Sequence, residues 1–337
     1  MSNPAGVFVV GETRSKQASP ITFQLIGKGR ELADTLGEDL SVILMGHNLS
    51  DVCNELSKYE VDNIYITDDL TLEDYHPELF VECLLEIVNS LEPNILLFGQ
   101  TIFGRDLAPL IAGNLNSGLA TNCIELEIET ATGLLVHTRP VFGGNARLCS
   151  TSNGSFPQIA TLKPNSAPSA SESTTHQSII SKIPLQSPKP EPIIKLIDRV
   201  LDVGGNDVSL EDAKIIVSGG LGVGGREGFD LLEEMAFTLG GAVGSSLPPV
   251  NAGTVPNSYH IGQTGKIVSP ALYFAIGISG QPQHLAGCEG SGVIVAINTD
   301  KDANIFNSAK FGVVGDFRQI VPAFTRKCQE LKTLQQP

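Results

Sequence analysis

The sequence predicts an α/β protein of two domains, on three observations. The chain runs to 337 residues, more than a single hydrophobic core usually holds together. Short apolar runs alternate with segments of helical period from the N-terminus onward, as βαβ units around a parallel sheet do. The same alternation resumes, around a glycine-rich loop, after a stretch rich in Pro, Ser and Thr.

Taken in order, residues 6–10 read as strand, 20–36 as helix, 41–45 as strand, 49–58 as helix, 63–67 as strand, 77–91 as helix, 94–98 as strand and 105–115 as helix. The strands are brief aliphatic runs, and the helices carry apolar residues at three- and four-residue spacing. Ser19 before Pro20 is a sound helix start, because serine caps the first amides and proline loses nothing at the first helical position. Two more strand-like stretches, 123–129 and 134–139, flank a turn at Thr132 and Gly133. From 163 to 192 the composition shifts, and Pro184, Pro188, Pro190 and Pro192 break everything but a short strand at 179–183. This reads as a surface segment or linker. The first domain is therefore 1–192, Rossmann-like around a parallel sheet, and the second is 193–337.

The second domain opens with a helix at 193–203 and a buried strand at 213–218. A glycine loop follows at 219–225, then a helix at 226–239 with Phe229, Leu232, Met235 and Ala236 on one face. Strands end at Val243, Ile278 and Ile297, and Gly315-Asp316 precedes a final helix.

Charge and composition exclude several functions. Acidic residues outnumber basic ones 37 to 22, for a net charge of -15, which repels nucleic acid and anionic membrane surfaces. Apolar runs such as 272–278 and 293–297 fall far short of the roughly 18 residues that span a bilayer. No export leader is expected, since residues 6–10 already form a strand. Cys53, Cys83, Cys123, Cys149, Cys288 and Cys328 form no Cys-x-x-Cys pair, so reduced thiols and a cytoplasmic location are expected. His47, His76, His137, His176 and His260 lack ligand spacing and are read as surface or locally hydrogen-bonded residues. No metal site or catalytic residue is assigned.

A strand, a glycine loop and a helix N-terminus together suit a phosphate, although a plain tight turn has the same sequence. A dinucleotide site of the NAD type wants an acidic residue at the tip of the next strand, where Ser245 and Ser246 stand. A P-loop wants Ser or Thr after Gly-Lys, but Ile267 follows Gly265-Lys266. Further on come Gln263-Thr264-Gly265-Lys266, a strand ending in Ser279-Gly280-Gln281-Pro282-Gln283-His284, and a strand ending in Asn298. In an open α/β sheet these ends gather at one edge, and their mixture of donors, acceptors and glycines suits a flavin.

The stretch 217–315 resembles the FAD domain of electron-transfer flavoprotein α subunits. The resemblance rests on Gly262-Gln263-Thr264-Gly265-Lys266, Leu272-Tyr273, Gly277-Ile278-Ser279-Gly280, Gln283-His284-Leu285-Ala286-Gly287, Ile294-Val295-Ala296-Ile297-Asn298, Ile305-Phe306 and Gly312-Val313-Val314-Gly315-Asp316. The first domain is similar through Gly104-Arg105-Asp106-Leu107-Ala108-Pro109, Ser117-Gly118-Leu119-Ala120, and Thr138-Arg139-Pro140 with Gly143-Gly144-Asn145. The resemblance implies a C-terminal α/β FAD-binding domain in an electron carrier that performs no catalysis alone. It also implies a β subunit, docked on the first domain and holding AMP or a second FAD, and an acyl-CoA dehydrogenase or similar flavin dehydrogenase as partner. Residues 138–145 are closer to the anaerobic and nitrogen-fixing branch, some members of which split electron pairs with NADH and ferredoxin through the β subunit. The alternatives are a permanent subunit of an acyl-CoA dehydrogenase or reductase assembly, and a divergent homologue without flavin.

By the same resemblance Thr264 lies beside the flavin N5, with Gln263 and Gly262 on its loop, and His284 donates a hydrogen bond or a proton to the N1/C2-carbonyl edge. Ser246, Ser279, Gln283, Asn298 and Asp316 hold the ribityl chain, phosphates and adenosine. Leu221, Ile261, Gly280, Gln281, Pro282 and Phe317 complete the implied site. The chain departs from the family at Leu221 and Leu247, where arginines are usual, and at Thr299, where lysine is common. Losing cations beside a flavin implies a lower potential and a less stable one-electron-reduced state. Arg226, just past the loop, is the candidate to replace the lost phosphate contact.

Overall fold

The computed structural model describes residues 4–334 except 15, 143–145, 153, 174–175, 186–196, 198–208 and 212. The chain forms two compact units, Met1–Arg199 and Val200–Pro337. The helix expected at 193–203 falls, apart from Ile197, outside the described residues, as does the segment 143–145.

In chain order the first unit contains β1 (Val7–Val10), β2 (Thr13–Arg14), β3 (Gln17–Ala18), α1 (Pro20–Leu36), β4 (Leu40–Gly46), α2 (Ser50–Leu56), β5 (Asn63–Asp68), α3 (Pro77–Leu91), β6 (Ile95–Gly99), α4 (Ile102–Leu115), β7 (Leu119–Cys123), β8 (Glu125–Glu129), β9 (Leu134–Val141), β10 (Ala146–Thr151), β11 (Gln158–Leu162) and β12 (Ile179–Lys182). Seven strands make a sheet of order β12-β5-β4-β1-β6-β11-β7, and every pairing in it is parallel. Strands β1, β4 and β6 are buried along their whole length because helices cover both faces. One core packs α1 and α2 on one face, and a second packs α3 and α4 on the other.

Two expectations change in this unit and a third narrows. The run 123–129 divides between sheets: β7 pairs with β11, whereas β8 joins β9 and β10 in a separate antiparallel sheet. Asn122, at φ 58°, and a register shift between β7 and β11 turn the chain there. Helix α4 begins three residues early because the Thr101 hydroxyl accepts from the Gly104 amide at 3.1 Å. Of the two readings of 163–185, surface segment and linker, the first holds, and the short strand expected at 179–183 forms as β12. The backbone of this stretch bonds to Phe23 and Lys58, His176 Nε2 meets the Val61 carbonyl at 2.9 Å, and β12 extends the sheet beside β5.

Strand order reverses between β1 and β6, the point at which open α/β sheets usually take a ligand. Here the space is filled from within, because the Glu12 carboxylate accepts from Thr101 Oγ1 at 2.7 Å and a Cβ on Gly99 would lie 2.7 Å from Glu12 Oε1.

The second unit contains β13 (Ile215–Gly219), α5 (Arg226–Leu239), β14 (Ala242–Ser245), α6 (Leu247–Asn251), β15 (Leu272–Ile276), α7 (Pro282–Cys288), β16 (Val293–Asn298), α8 (Ile305–Ser308), β17 (Phe311–Val314) and α9 (Phe317–Leu334). Its parallel sheet has the order β14-β13-β15-β16-β17, so the reversal lies between β13 and β15. The C-terminal ends of these strands share one edge. Strand β15 stops two residues before the expected end because Gly277 takes φ 61°. Among the described residues no helix is long and apolar enough to cross a membrane, and no group of three or more His, Cys, Asp and Glu side chains is arranged to hold a metal.

Candidate functional site

The site forms where the β13 and β15 loops meet. The Gly220 amide donates to the Ile276 carbonyl at 2.8 Å and the Gly222 amide to the Gly277 carbonyl at 3.1 Å. A Cβ on Gly220 would lie 2.1 Å from the Gly277 oxygen. Glycine is needed here for contact between two backbones, and the loop then turns into α5, whose first turn has no side-chain cap. That leaves α5 with a partial positive charge at the sheet edge.

Beside this contact opens a cavity of about 520 Å³, within the range of small-molecule and cofactor sites. Leu221, Ser246, Ile261, Gln263, Thr264, Ser279, Gln281, Gln283, His284 and Asn298, all singled out from sequence, line it. Gly262, Gly280 and Pro282 belong to the same loops but not to the lining. Asp316 and Phe317 stand apart: the Asp316 carboxylate accepts from the Arg318 amide at 2.9 Å, and the Phe317 ring is buried in a core with Ile276 and Ile297. Gly222, Leu247, Pro248, His260, Gly277, Ile278, Asp300 and Ala303 also line the cavity. Leu247 is the position already noted for its missing arginine, and Gly222, Gly277 and Ile278 belong to the loop and strand end that the sequence marked; Pro248, His260, Asp300 and Ala303 were not assigned to the site, although each lies close to a residue that was. His260 in particular, read above as a surface or locally bonded histidine, is 6% exposed, and burial lowers its pKa.

The loop carrying Gln263 and Thr264 is closed by its own backbone. The Ile261 amide donates to the Ser245 carbonyl at 2.9 Å, Lys266 to His260 at 2.8 Å and Gln263 to Gln283 at 2.7 Å. Its tip is thereby held open to the cavity, with Gln263 and Thr264 exposed.

His284 sits at the start of α7, 6% exposed. Its Nδ1 lies 3.0 Å from the Ile261 carbonyl and its Nε2 3.0 Å from the Tyr273 hydroxyl. A carbonyl only accepts, so Nδ1 carries the proton and Nε2 receives the tyrosine hydroxyl. Burial pushes the ring pKa down to about 4 and, with no exposure at Tyr273, pushes the phenol well above its ordinary value. The ring is therefore neutral at pH 7, with both nitrogens bonded within the protein. Tyr273→Phe should cost about 1–2 kcal/mol, the usual loss for one buried hydrogen bond. Urea denaturation measures that loss, and histidine ¹⁵N spectra should show the ring passing from one tautomer to a mixture. An unchanged midpoint with an unchanged spectrum would rule out the bond.

The cavity holds little charge. Asp300 is its charged lining residue, and neither Lys nor Arg lines it. Arg226 does not reach back over the glycine loop as anticipated. It bonds Asp230 at 3.0 Å and Glu233 at 2.7 Å along its own helix, where spacings of four and seven residues place them on one face. Lys266 stands 3.8 Å from Glu211.

The chain is similar to known proteins along nearly its whole length. Residues 7–188 match the electron transfer flavoprotein domain, and residues 209–289 match the electron transfer flavoprotein FAD-binding domain. The chain is 37% identical over 332 residues to the electron transfer flavoprotein subunit alpha of Thermoanaerobacterium thermosaccharolyticum, covering 98% of this chain and 100% of that one. It is 39% identical to protein FixB of Bradyrhizobium diazoefficiens, over 95% of this chain and 87% of that one. With the electron transfer flavoprotein subunit alpha of Bacillus subtilis it shares 37% identity over 96% and 98% of the two chains.

Proposed function

The chain belongs to the electron transfer flavoprotein α-subunit family, and from that premise we propose that the cavity at the β13–β15 edge is where it holds FAD. The protein is an electron-transfer flavoprotein subunit, and its second unit is the FAD-binding domain of the family. The observation supporting the cavity assignment is convergence: residues from five separate chain segments, named for a flavin before any geometry, line one space of about 520 Å³.

The residues present fit the group. The Gly220–Gly277 contact leaves no room for side chains where the backbone must come close to a ligand, and the uncapped first turn of α5 offers amides to an anion. Gln263, Thr264, Ser279, Gln283 and Asn298 supply donors and acceptors along the lining, while Leu221, Leu247, Pro248 and Ile278 exclude water. FAD supplies the redox chemistry, taking up and releasing electrons one or two at a time. Thr264 and Gln263 position the reactive ring system, and Ser246, Ser279 and Asn298 hold the chain that leads to the adenosine. Tyr273 fixes the His284 ring, which faces the cofactor as a neutral group. No proton leaves His284 at pH 7 without breaking its bond to Ile261.

An apolar, cation-poor surround disfavours the added negative charge of reduction, so the bound flavin has a low potential. Leu247→Arg should raise that potential by on the order of 100 mV, the effect of one charge at about 6 Å in a medium of dielectric constant near 20. A redox titration measures it, and an unmoved potential would show that residue 247 does not face the flavin. The cavity assignment itself is tested by the absorption spectrum and flavin content of the purified protein. A chain that stays colourless with excess FAD would favour a divergent homologue without flavin.

The partners follow from the same premise. The first unit carries the contact to a β subunit, supported by the exposed apolar side chains Ile102 and Leu110 on α4. Electrons pass between an acyl-CoA dehydrogenase or similar flavin dehydrogenase and other redox partners. Bifurcation with NADH and ferredoxin would run through the β subunit. Co-purification and size-exclusion of the native assembly separate a mobile heterodimer from a permanent dehydrogenase complex.

A further inference from the structure

We infer that Arg318 supplies the positive charge for the phosphate-bearing half of FAD, in the place left by Leu221. The inference rests on the cavity being the FAD site. Arg318 is the second residue of α9, which begins just past the C-terminal end of β17. The chain enters that helix at the cavity edge, since the Gly315 amide donates to the carbonyl of Asn298, a lining residue, at 3.0 Å.

The guanidinium lies against the glycine loop: Arg318 Nη2 is 3.4 Å from the point a Cβ on Gly224 would occupy. Leu221 and Gly222, on the same loop, line the cavity. One contact fixes the residue's backbone and one its side chain. Its amide donates to Asp316 Oδ1 at 2.9 Å, and its guanidinium carbon stands 4.8 Å from the centre of the Phe317 ring. No carboxylate among the described residues pairs with the guanidinium, whereas Arg226 and Lys266, two other cations of the second unit, are engaged by Asp230, Glu233 and Glu211.

The charge of the site requires such a group. FAD brings two phosphates to a cavity whose charged lining residue is Asp300, in a chain of net charge -15. Exposed Leu221 offers a phosphate nothing. A guanidinium forms paired hydrogen bonds with phosphate oxygens, and here it reaches the glycine loop from a different element of the sequence. Replacement of the family's arginine is then positional: the cation comes from α9 instead of the loop.

The test is binding of FAD and of riboflavin, which lacks phosphate, to the full-length chain freed of flavin, followed by fluorescence at low and high salt. Arg318→Gln keeps a polar exposed residue in the first helical turn, so the fold should be retained. It should weaken FAD roughly tenfold or more, the usual loss for a charged hydrogen bond, leave riboflavin unchanged and reduce the salt dependence of FAD binding. Leu221→Arg added to Arg318→Gln should restore most of the affinity. Unchanged FAD affinity, or equal losses for FAD and riboflavin, would overturn the assignment. Failure of the unaltered chain to bind either flavin would instead remove the cavity as the FAD site, and this inference with it.

Discussion

Replacing Gly280 with alanine should destabilise the second unit by roughly 4 kcal/mol and abolish FAD retention. Gly280 has φ 85°, where an L side chain is strained, and a Cβ there would lie 2.2 Å from the backbone nitrogen of Ile305. That nitrogen donates to the Ser279 carbonyl at 3.0 Å, which fixes the start of α8 against the loop after β15. The clash is with backbone and cannot be relieved by a rotamer change, so either the Ser279 bond breaks or α8 moves. Gly253 is the control. Its φ is 70°, but a Cβ would meet nothing within 4 Å, so Gly253→Ala should show only the conformational cost of about 1–2 kcal/mol. Urea denaturation of both variants separates the two terms. Similar losses for the pair would mean that the close approach at Gly280 contributes nothing.

The second large effect is in pH. His284 titrates near 6.5 in an unfolded chain and at about 4 in the fold, chiefly because burial disfavours its charged form. Between these values the unfolded chain takes up a proton that the folded chain does not, so folding stability falls as pH falls. The contribution is complete above about pH 6.5, is lost progressively towards about pH 4, and then levels. The gap corresponds to roughly 3 kcal/mol. Burial of His260 acts in the same direction. Carboxylates add a slope of their own at the acid end, so the measurement is the difference between the parent and His284→Asn across pH 4–7. The variant is expected to lose most of this slope, whatever its absolute stability. Parallel curves would mean that the ring is solvated and not buried as described.

The second unit was more legible than the first. Its strands end in, or run straight into, polar and glycine residues, and such residues stand out in a linear sequence directly after an aliphatic run. Gln283 and Asn298 were found that way, and Thr264 through the family resemblance. The first unit hid β11 because Gln158 and Thr161 look like surface residues. In the fold both are buried: Gln158 donates to Asn94 at 3.0 Å and accepts from the Leu135 amide at 2.7 Å, satisfying polar groups inside a parallel sheet. Partners 64 and 23 residues away along the chain leave no local pattern to read. In the stretch 163–185 the short strand was legible but its pairing with β5 was not, since prolines mark breaks in regular structure and do not tell where the segment between them packs.

The sequence by itself determined the α/β class, most strand and helix positions, the glycine loop and the loops that line the cavity. These depend on hydrophobic period, turn chemistry and strand-end residues, all of which act within a few residues of one another. Only the tertiary structure decided the charge and protonation of the site. It turned Arg226 away along its own helix, brought Arg318 to the glycine loop from the opposite end of the unit, and bonded both nitrogens of His284 to Ile261 and Tyr273. Electrostatics and burial depend on distances between residues far apart in the chain, and those distances do not exist until the sheet has formed.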